Sequence, residues 1–209
     1  MTHHRRRNNG TDPSKINETV ELSPAQRYAA FKQTQAKQRT VAAEFARSMP
    51  FELDEFQMQA NDALEAGDNV LVAAPTGAGK TVAADFAIYL AQTRNVKAFY
   101  TTPIKALSNQ KYHDLVDQYG TDKVGLLTGD TSINSEADIV VMTTEVLRNM
   151  LYEHSVTLEA LRYVILDEVH YLADRFRGPV WEEVIIHLPK NVNIIGLSAT
   201  VSNVEDFSE

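Results

Sequence analysis

Residues 70–81 read Val70-Leu71-Val72-Ala73-Ala74-Pro75-Thr76-Gly77-Ala78-Gly79-Lys80-Thr81. The first four are an apolar, strand-like run. Ala74 to Lys80 make a loop with two glycines, and Val82–Ala91 continues with helical character. Strand, glycine-bearing loop and helix, in that order, form a phosphate cradle. Gly77 and Gly79 let the backbone curl until successive N–H groups face one anion. The helix N-terminus adds a favourable dipole. Lys80 can reach β- and γ-phosphates, and the Thr81 hydroxyl offers an oxygen to Mg²⁺. Ala74, Pro75, Thr76 and Ala78 complete the candidate nucleotide-binding loop. The general pattern opens with glycine six positions before the lysine, where this chain has Ala74. The competing reading is a tight strand–helix turn without a ligand. A dinucleotide site fits less well, because the third glycine of G-x-G-x-x-G falls at Val82.

A second apolar run, Tyr163-Val164-Ile165-Leu166, leads straight into Asp167-Glu168-Val169-His170. A carboxylate at the end of a parallel strand beside a phosphate loop is where Mg²⁺ is wanted. Asp167 is the candidate metal carboxylate, acting through water. Glu168 is the candidate for orienting or deprotonating an attacking water. A solvated acidic turn is the alternative. A zinc site is disfavoured, because Glu168 and His170 lack the H-E-x-x-H spacing.

Outward from these two stretches, strand-like runs alternate with amphipathic ones. Ala98–Thr101 precedes Ile104–Tyr119, and further apolar runs cover Val124–Leu127, Ile139–Met142 and Val192–Leu197. The alternation predicts an α/β domain over 50–209, with a mostly parallel sheet covered by helices on both faces. Residues 1–22 are polar and read as a flexible tail. Residues 23–49 read as a helical segment, with Ser23 as cap, Pro24 in the first turn and an end near Met49-Pro50. The chain has 209 residues, 44% of them hydrophobic, which suffices for one sizeable core. It has no cysteine, which excludes disulfides and cysteine-ligated metals and fits a reducing, cytoplasmic setting. No apolar run is long enough to span a bilayer. Arg5-Arg6-Arg7 is followed by polar residues, so it does not open a signal peptide.

The net charge is −8. The first 48 residues carry nine Lys/Arg against four Asp/Glu, and the remainder is strongly acidic. Any nucleic-acid contact by the domain therefore rests on a few placed groups rather than on bulk charge. Thr102-Pro103 and Thr144-Glu145 each follow an apolar run and open a helical one. They could present free N–H groups to a phosphate, or they could be ordinary helix caps. Trp181 reads as a core residue beside Val180 and Val184, Tyr100 and Tyr112 as packing residues, and His3 and His4 as part of a solvated tail.

Taken together, these motifs resemble the DExH-box helicases of superfamily 2. The most similar group is the superkiller and exosome-associated RNA helicases, and the likeness covers about residues 50–207. Phe51-Glu52-Leu53-Asp54-Glu55-Phe56-Gln57 resembles that family's adenine-reading segment, and the Gln57 amide can pair with both a donor and an acceptor. Thr102-Pro103-Ile104-Lys105, Gly129-Asp130 and Thr143-Thr144-Glu145 resemble its nucleic-acid motifs. Ser198-Ala199-Thr200, with His170, resembles the elements that couple hydrolysis to strand movement. The stretch from Arg175 to Glu183, R-F-R-G-P-V-W-E-E, points to the exosome-associated group.

The resemblance implies a RecA-like fold, ATP and Mg²⁺ as cofactors, RNA or less often DNA as the partner, and 3′-to-5′ movement. It also implies a second RecA-like domain that supplies an arginine finger. The sequence given ends nine residues after Thr200, so that domain is expected from elsewhere. Two other readings compete. One is a non-catalytic ATP-binding fragment, and the other is an unrelated P-loop enzyme such as a small-molecule kinase.

Overall fold

The computed structural model describes Ser23, residues 39–170 and residues 178–199. The described residues from Thr40 onward belong to one compact unit. Fourteen elements follow one another among the described residues. Two helices come first, α1 (Val41–Ser48) and α2 (Glu55–Ala66). The alternating part then runs β1 (Val70–Ala73), α3 (Thr81–Arg94), β2 (Lys97–Thr102), α4 (Lys105–Tyr119), β3 (Val124–Thr128) and β4 (Thr131–Ile133). It continues with β5 (Ile139–Thr143), α5 (Thr144–Tyr152), a short 3₁₀ turn (Val156–Leu158), β6 (Leu161–Leu166), α6 (Gly178–His187) and β7 (Asn193–Ser198).

The seven strands form one sheet in the order β1-β7-β6-β2-β5-β3-β4. Every pairing is parallel except β3 with β4, which are joined by a tight antiparallel turn. The inner strands β2, β5 and β6 are apolar on both faces, as burial on both sides requires, whereas the edge strand β4 is largely exposed. On β2, Ala98 and Tyr100 belong to one core while Phe99, between them, belongs to the other. The first core is closed by α1 to α4, with Phe86, Leu90 and Leu115 fully buried. The second is closed by α5 and α6, with Leu147, Trp181 and Val184. Burying each such side chain contributes about 1.5–3 kcal/mol.

The first helix is held by its ends and by one ring. Thr40 caps it, its hydroxyl accepting from the Ala43 amide at 3.1 Å. Glu65 of α2 accepts from the Val41 and Ala42 amides at 2.9 and 2.7 Å. An anion at a helix N-terminus is favourable on both hydrogen-bonding and dipole grounds. Phe45 packs against Phe86, with ring centroids 5.2 Å apart. Thr40 itself is extended (φ −74°, ψ 155°), so the segment expected to be helical over 23–49 is not one continuous helix. Its part over 24–38 lies outside the described residues, as does the expected tail over 1–22. No helix among the described residues is long and apolar enough to cross a membrane.

Candidate functional site

In a parallel sheet the carboxyl ends of the strands lie along one edge, and ligands gather there. Register brings Ala73 beside Ser198, Leu166 beside Gly196, Thr101 beside Leu166, and Thr102 beside Thr143. The phosphate loop, the acidic box, Ser198 and the nucleic-acid candidates therefore leave the sheet on the same side. The end of β7 sits between the phosphate loop and the acidic box.

The loop from Ala74 to Lys80 has the curl that its glycines permit. Gly77 and Gly79 take φ of +85° and +76°. The Ala74 amide donates to the Ser198 carbonyl at 3.2 Å, tying the loop to β7, and the Ala78 amide donates to the Pro75 carbonyl at 3.1 Å. Lys80 folds back toward the Ala74 carbonyl, with Nζ 3.4 Å away. Thr81 opens α3 and is exposed.

Gln57 is where the structure adds most to the sequence reading. It is buried, at 4% exposure. Its Oε1 accepts from the Asp54 amide at 2.8 Å, and its Nε2 donates to the Gly79 carbonyl at 2.9 Å. The residue expected to read adenine is thus first a brace between the start of α2 and the phosphate loop. Each amide atom keeps one further hydrogen-bonding position. Phe51 is 52% exposed, so its ring has a free face.

Asp167 is held at three points. Its amide donates to the Thr101 carbonyl at 3.0 Å. Its Oδ1 accepts from the Glu168 amide at 2.9 Å, and its Oδ2 accepts from the Tyr100 hydroxyl at 2.7 Å. Burial, then the Asp167 charge and this hydrogen bond, then Asp85 and Glu168 push the Tyr100 phenol well above its usual range, so it stays a donor. Tyr100 was expected only to pack. The missed signal is a phenol in an otherwise apolar strand, because a buried tyrosine hydroxyl needs a partner. Glu168 takes φ of +58°, a left-handed conformation uncommon outside glycine and asparagine, and strain of this kind collects at functional sites. Its Oε2 lies 3.1 Å from Nδ1 of His170.

Among the nucleic-acid candidates the helix-capping expectation needs correction. Helix α4 begins at Lys105 with Ile104 as its cap, and α5 begins at Thr144 with Thr143 as its cap. Thr102 is therefore not a cap, and Pro103 precedes the first turn. Both threonine side chains are buried and occupied. The Thr102 hydroxyl reaches the Ile104 carbonyl at 3.0 Å and the Ser108 hydroxyl at 2.7 Å, and Thr144 donates to the Thr102 carbonyl at 3.3 Å. They brace adjacent loops. The exposed groups there are Lys105, Gly129, Asp130 and Glu145. Lys105 pairs with Asp130 at 2.5 Å, and Thr128 also donates to Asp130, so that carboxyl sits below its usual range. Trp181 is 1% exposed, as its core reading required. Thr200, Arg175 and Arg177 lie outside the described residues, while Ser198 is buried and donates to the Ala199 carbonyl at 2.7 Å.

Hard oxygen donors fit Mg²⁺, and the Asp167 carboxylate with the Thr81 hydroxyl is such a set. Among the described residues no group of three or more His, Cys, Asp or Glu could hold a metal alone.

A parallel sheet with a strand–loop–helix phosphate cradle and an acidic strand end beside it defines a P-loop, RecA-like nucleotide-binding domain. The DEAD/DEAH box helicase profile matches residues 54–207, and the chain belongs to that family. It is 63% identical over 163 residues to the probable helicase HelY of Mycobacterium tuberculosis, covering 78% of this chain and 18% of that one. It is 53% identical over 163 residues to the antiviral helicase SKI2 of Saccharomyces cerevisiae, covering 78% of this chain and 13% of that one. The likeness to superkiller-type helicases expected from the motifs is thus borne out. Helicase Lhr of Mycobacterium smegmatis, solved with ssDNA and AMP-PNP, matches with a TM-score of 0.57 at 32% identity. That match covers 72% of this chain and 23% of that one. The chain spans less than a fifth of the length of these curated relatives.

Proposed function

We propose that this chain is the ATP-hydrolysing first motor domain of a superkiller-type RNA helicase. The observation that carries the reading is the arrangement along one sheet edge. Lys80 and the glycine loop lie on one side of the end of β7, and Asp167 and Glu168 lie on the other.

In this reading the loop amides and Lys80 grip the β- and γ-phosphates. Phe51 covers the adenine ring, and Gln57 uses its remaining donor and acceptor to select it. Asp167 and Thr81 hold Mg²⁺, which when bound offsets phosphate charge. Glu168 orients the attacking water or takes its proton, with His170 at its side. Ser198, Ala199 and Thr200 pass the change at the phosphates on toward the nucleic acid.

Lys105, Gly129, Asp130 and Glu145, with the backbone around Thr102, Pro103 and Thr144, follow the sugar–phosphate track. Such contacts grip without reading sequence, which suits an acidic domain. RNA is the proposed track because the motif likeness is to RNA helicases, and a cytoplasmic setting goes with it. Strand movement needs a second RecA-like domain that closes on ATP and brings an arginine to the transferred phosphoryl group. Loss of such an arginine costs about 10³–10⁵ in rate.

The test is ATP turnover by the 209-residue chain with no nucleic acid, with RNA and with DNA, beside a duplex-unwinding assay. Slow turnover and no unwinding are expected of this chain alone. Robust unwinding by the isolated chain would refute the two-domain argument. Stimulation by DNA but not by RNA would refute the choice of track.

A further inference from the structure

The hydroxyl of Tyr100 has a job that packing does not explain. Its ring is 1% exposed on β2, directly beside β6, with Ile165 as its register partner. The neighbouring strand position, Phe99, fills the opposite core without a hydroxyl. A phenol buried this deeply requires an acceptor. It takes Oδ2 of Asp167 at 2.7 Å, while the Glu168 amide takes Oδ1 at 2.9 Å. The ring is itself pinned, with the Lys111 ammonium 4.9 Å from its centroid.

The geometry matters because an aspartate at a strand end has one soft degree of freedom, rotation of its carboxylate. The backbone is already fixed by the bond from the Asp167 amide to the Thr101 carbonyl. One donor on one oxygen still allows the carboxylate to swing about that contact. Two donors on the two oxygens, one from the following residue and one from the adjacent strand, stop the swing. A carboxylate has about four lone-pair positions, so about two remain for a metal-bound water.

We infer that Tyr100 is a positioning residue that locks the Asp167 carboxylate in the orientation required to hold the nucleotide's divalent cation. The inference rests on the reading of Asp167 as the metal carboxylate. Partners that orient a metal-binding carboxylate typically change metal affinity by about 10–100-fold when lost. Because Glu168 still holds Oδ1, the lower end of that range applies.

The experiment is a fluorescence titration of the 209-residue chain with a fluorescent ADP analogue, in excess Mn²⁺ and again in EDTA. The ratio of the two affinities measures the gain due to the metal, independently of turnover. Tyr100→Phe keeps the ring, its packing and the Lys111 contact, and removes only the hydroxyl. It is expected to leave the EDTA affinity unchanged and to cut the metal gain by about tenfold. Asp167→Asn is expected to cut the gain further than Tyr100→Phe does. In the Asp167→Asn background, Tyr100→Phe is expected to add nothing further. A full metal gain in Tyr100→Phe overturns the proposal. So does an equal fall with and without metal, which is what a packing role alone would produce. If Asp167→Asn keeps its metal gain, the metal assignment of Asp167 is itself wrong, and the positioning role falls with it.

Discussion

Replacing Gln57 by alanine separates two roles that the structure gives one side chain. The substitution deletes two hydrogen bonds, to the Asp54 amide at 2.8 Å and to the Gly79 carbonyl at 2.9 Å. Both run through a residue that is 4% exposed, so water does not readily replace them. A buried hydrogen bond contributes about 1 kcal/mol net, and a partner left unsatisfied costs somewhat more. The expected loss is therefore about 2–3 kcal/mol of stability. With a urea slope of about 2 kcal/mol per molar, the unfolding midpoint falls by about 1 M.

The chain has a single tryptophan, Trp181, buried in the second core, so its fluorescence reports global unfolding. The same loss loosens the phosphate loop at Gly79. ATP and GTP affinities should then fall together by a common factor, with an additional fall for ATP alone from the lost adenine contact. Urea titration and calorimetric titration with both nucleotides measure these effects. An unchanged midpoint with weaker ATP and unchanged GTP binding would refute the bracing argument. Equal falls for both nucleotides would refute adenine selection by Gln57.

Lys80→Ala should weaken ATP binding substantially, and unchanged affinity in titration calorimetry would exclude the phosphate assignment. Gly77→Ala should weaken ATP binding through conformation alone. A Cβ there meets nothing within 4 Å, but φ of +85° costs a non-glycine residue about 1–2 kcal/mol. Circular dichroism should show the fold intact while nucleotide titration shows the loss. Alkaline stability should depend on Tyr119, whose phenol is pushed up to about 12 by burial and then by Asp85. Its folded-state pKa is raised, so its contribution is fully present below about 10, the unfolded value, and is lost as pH rises toward about 12. Tyr119→Phe should flatten the fall in urea midpoint between pH 9 and pH 11.5, and an unchanged slope would refute the assignment.

The alternation of apolar strands with helices is legible in the sequence because burial on both faces leaves continuous runs such as Ile139–Met142. The phosphate loop is legible for a local reason. Its glycines, lysine and threonine act within eight residues, and no distant contact is needed to interpret them. What the sequence hides is the contact between strands. Tyr100 meets Asp167 only because β2 lies beside β6, and Gln57 meets Gly79 only because α2 folds back onto the loop. The start of α4 is hidden for a related reason. Thr102 looks like a helix start, but tertiary contacts to Ser108 and Thr144 occupy it, and the helix begins three residues later.

The position of β7 bears on how the domain comes into being. Strands β1 and β6 never pair with each other, and β7, the last strand among the described residues, lies between them. A ribosome releases the phosphate loop, residues 74–81, well before the acidic box, residues 167–170. At about 5–20 residues per second, several seconds of synthesis separate them. The helix after the loop already reaches β6, where Arg94 donates to the Tyr163 hydroxyl, but the strand pairing that sets the loop beside the box is complete only when Asn193–Ser198 adds between β1 and β6. Nucleotide is therefore expected to stabilise a chain that includes β7 far more than one that stops before it. A nascent chain stalled before residue 193 should gain little protease protection from ATP, and that protection should rise once β7 has cleared the exit tunnel.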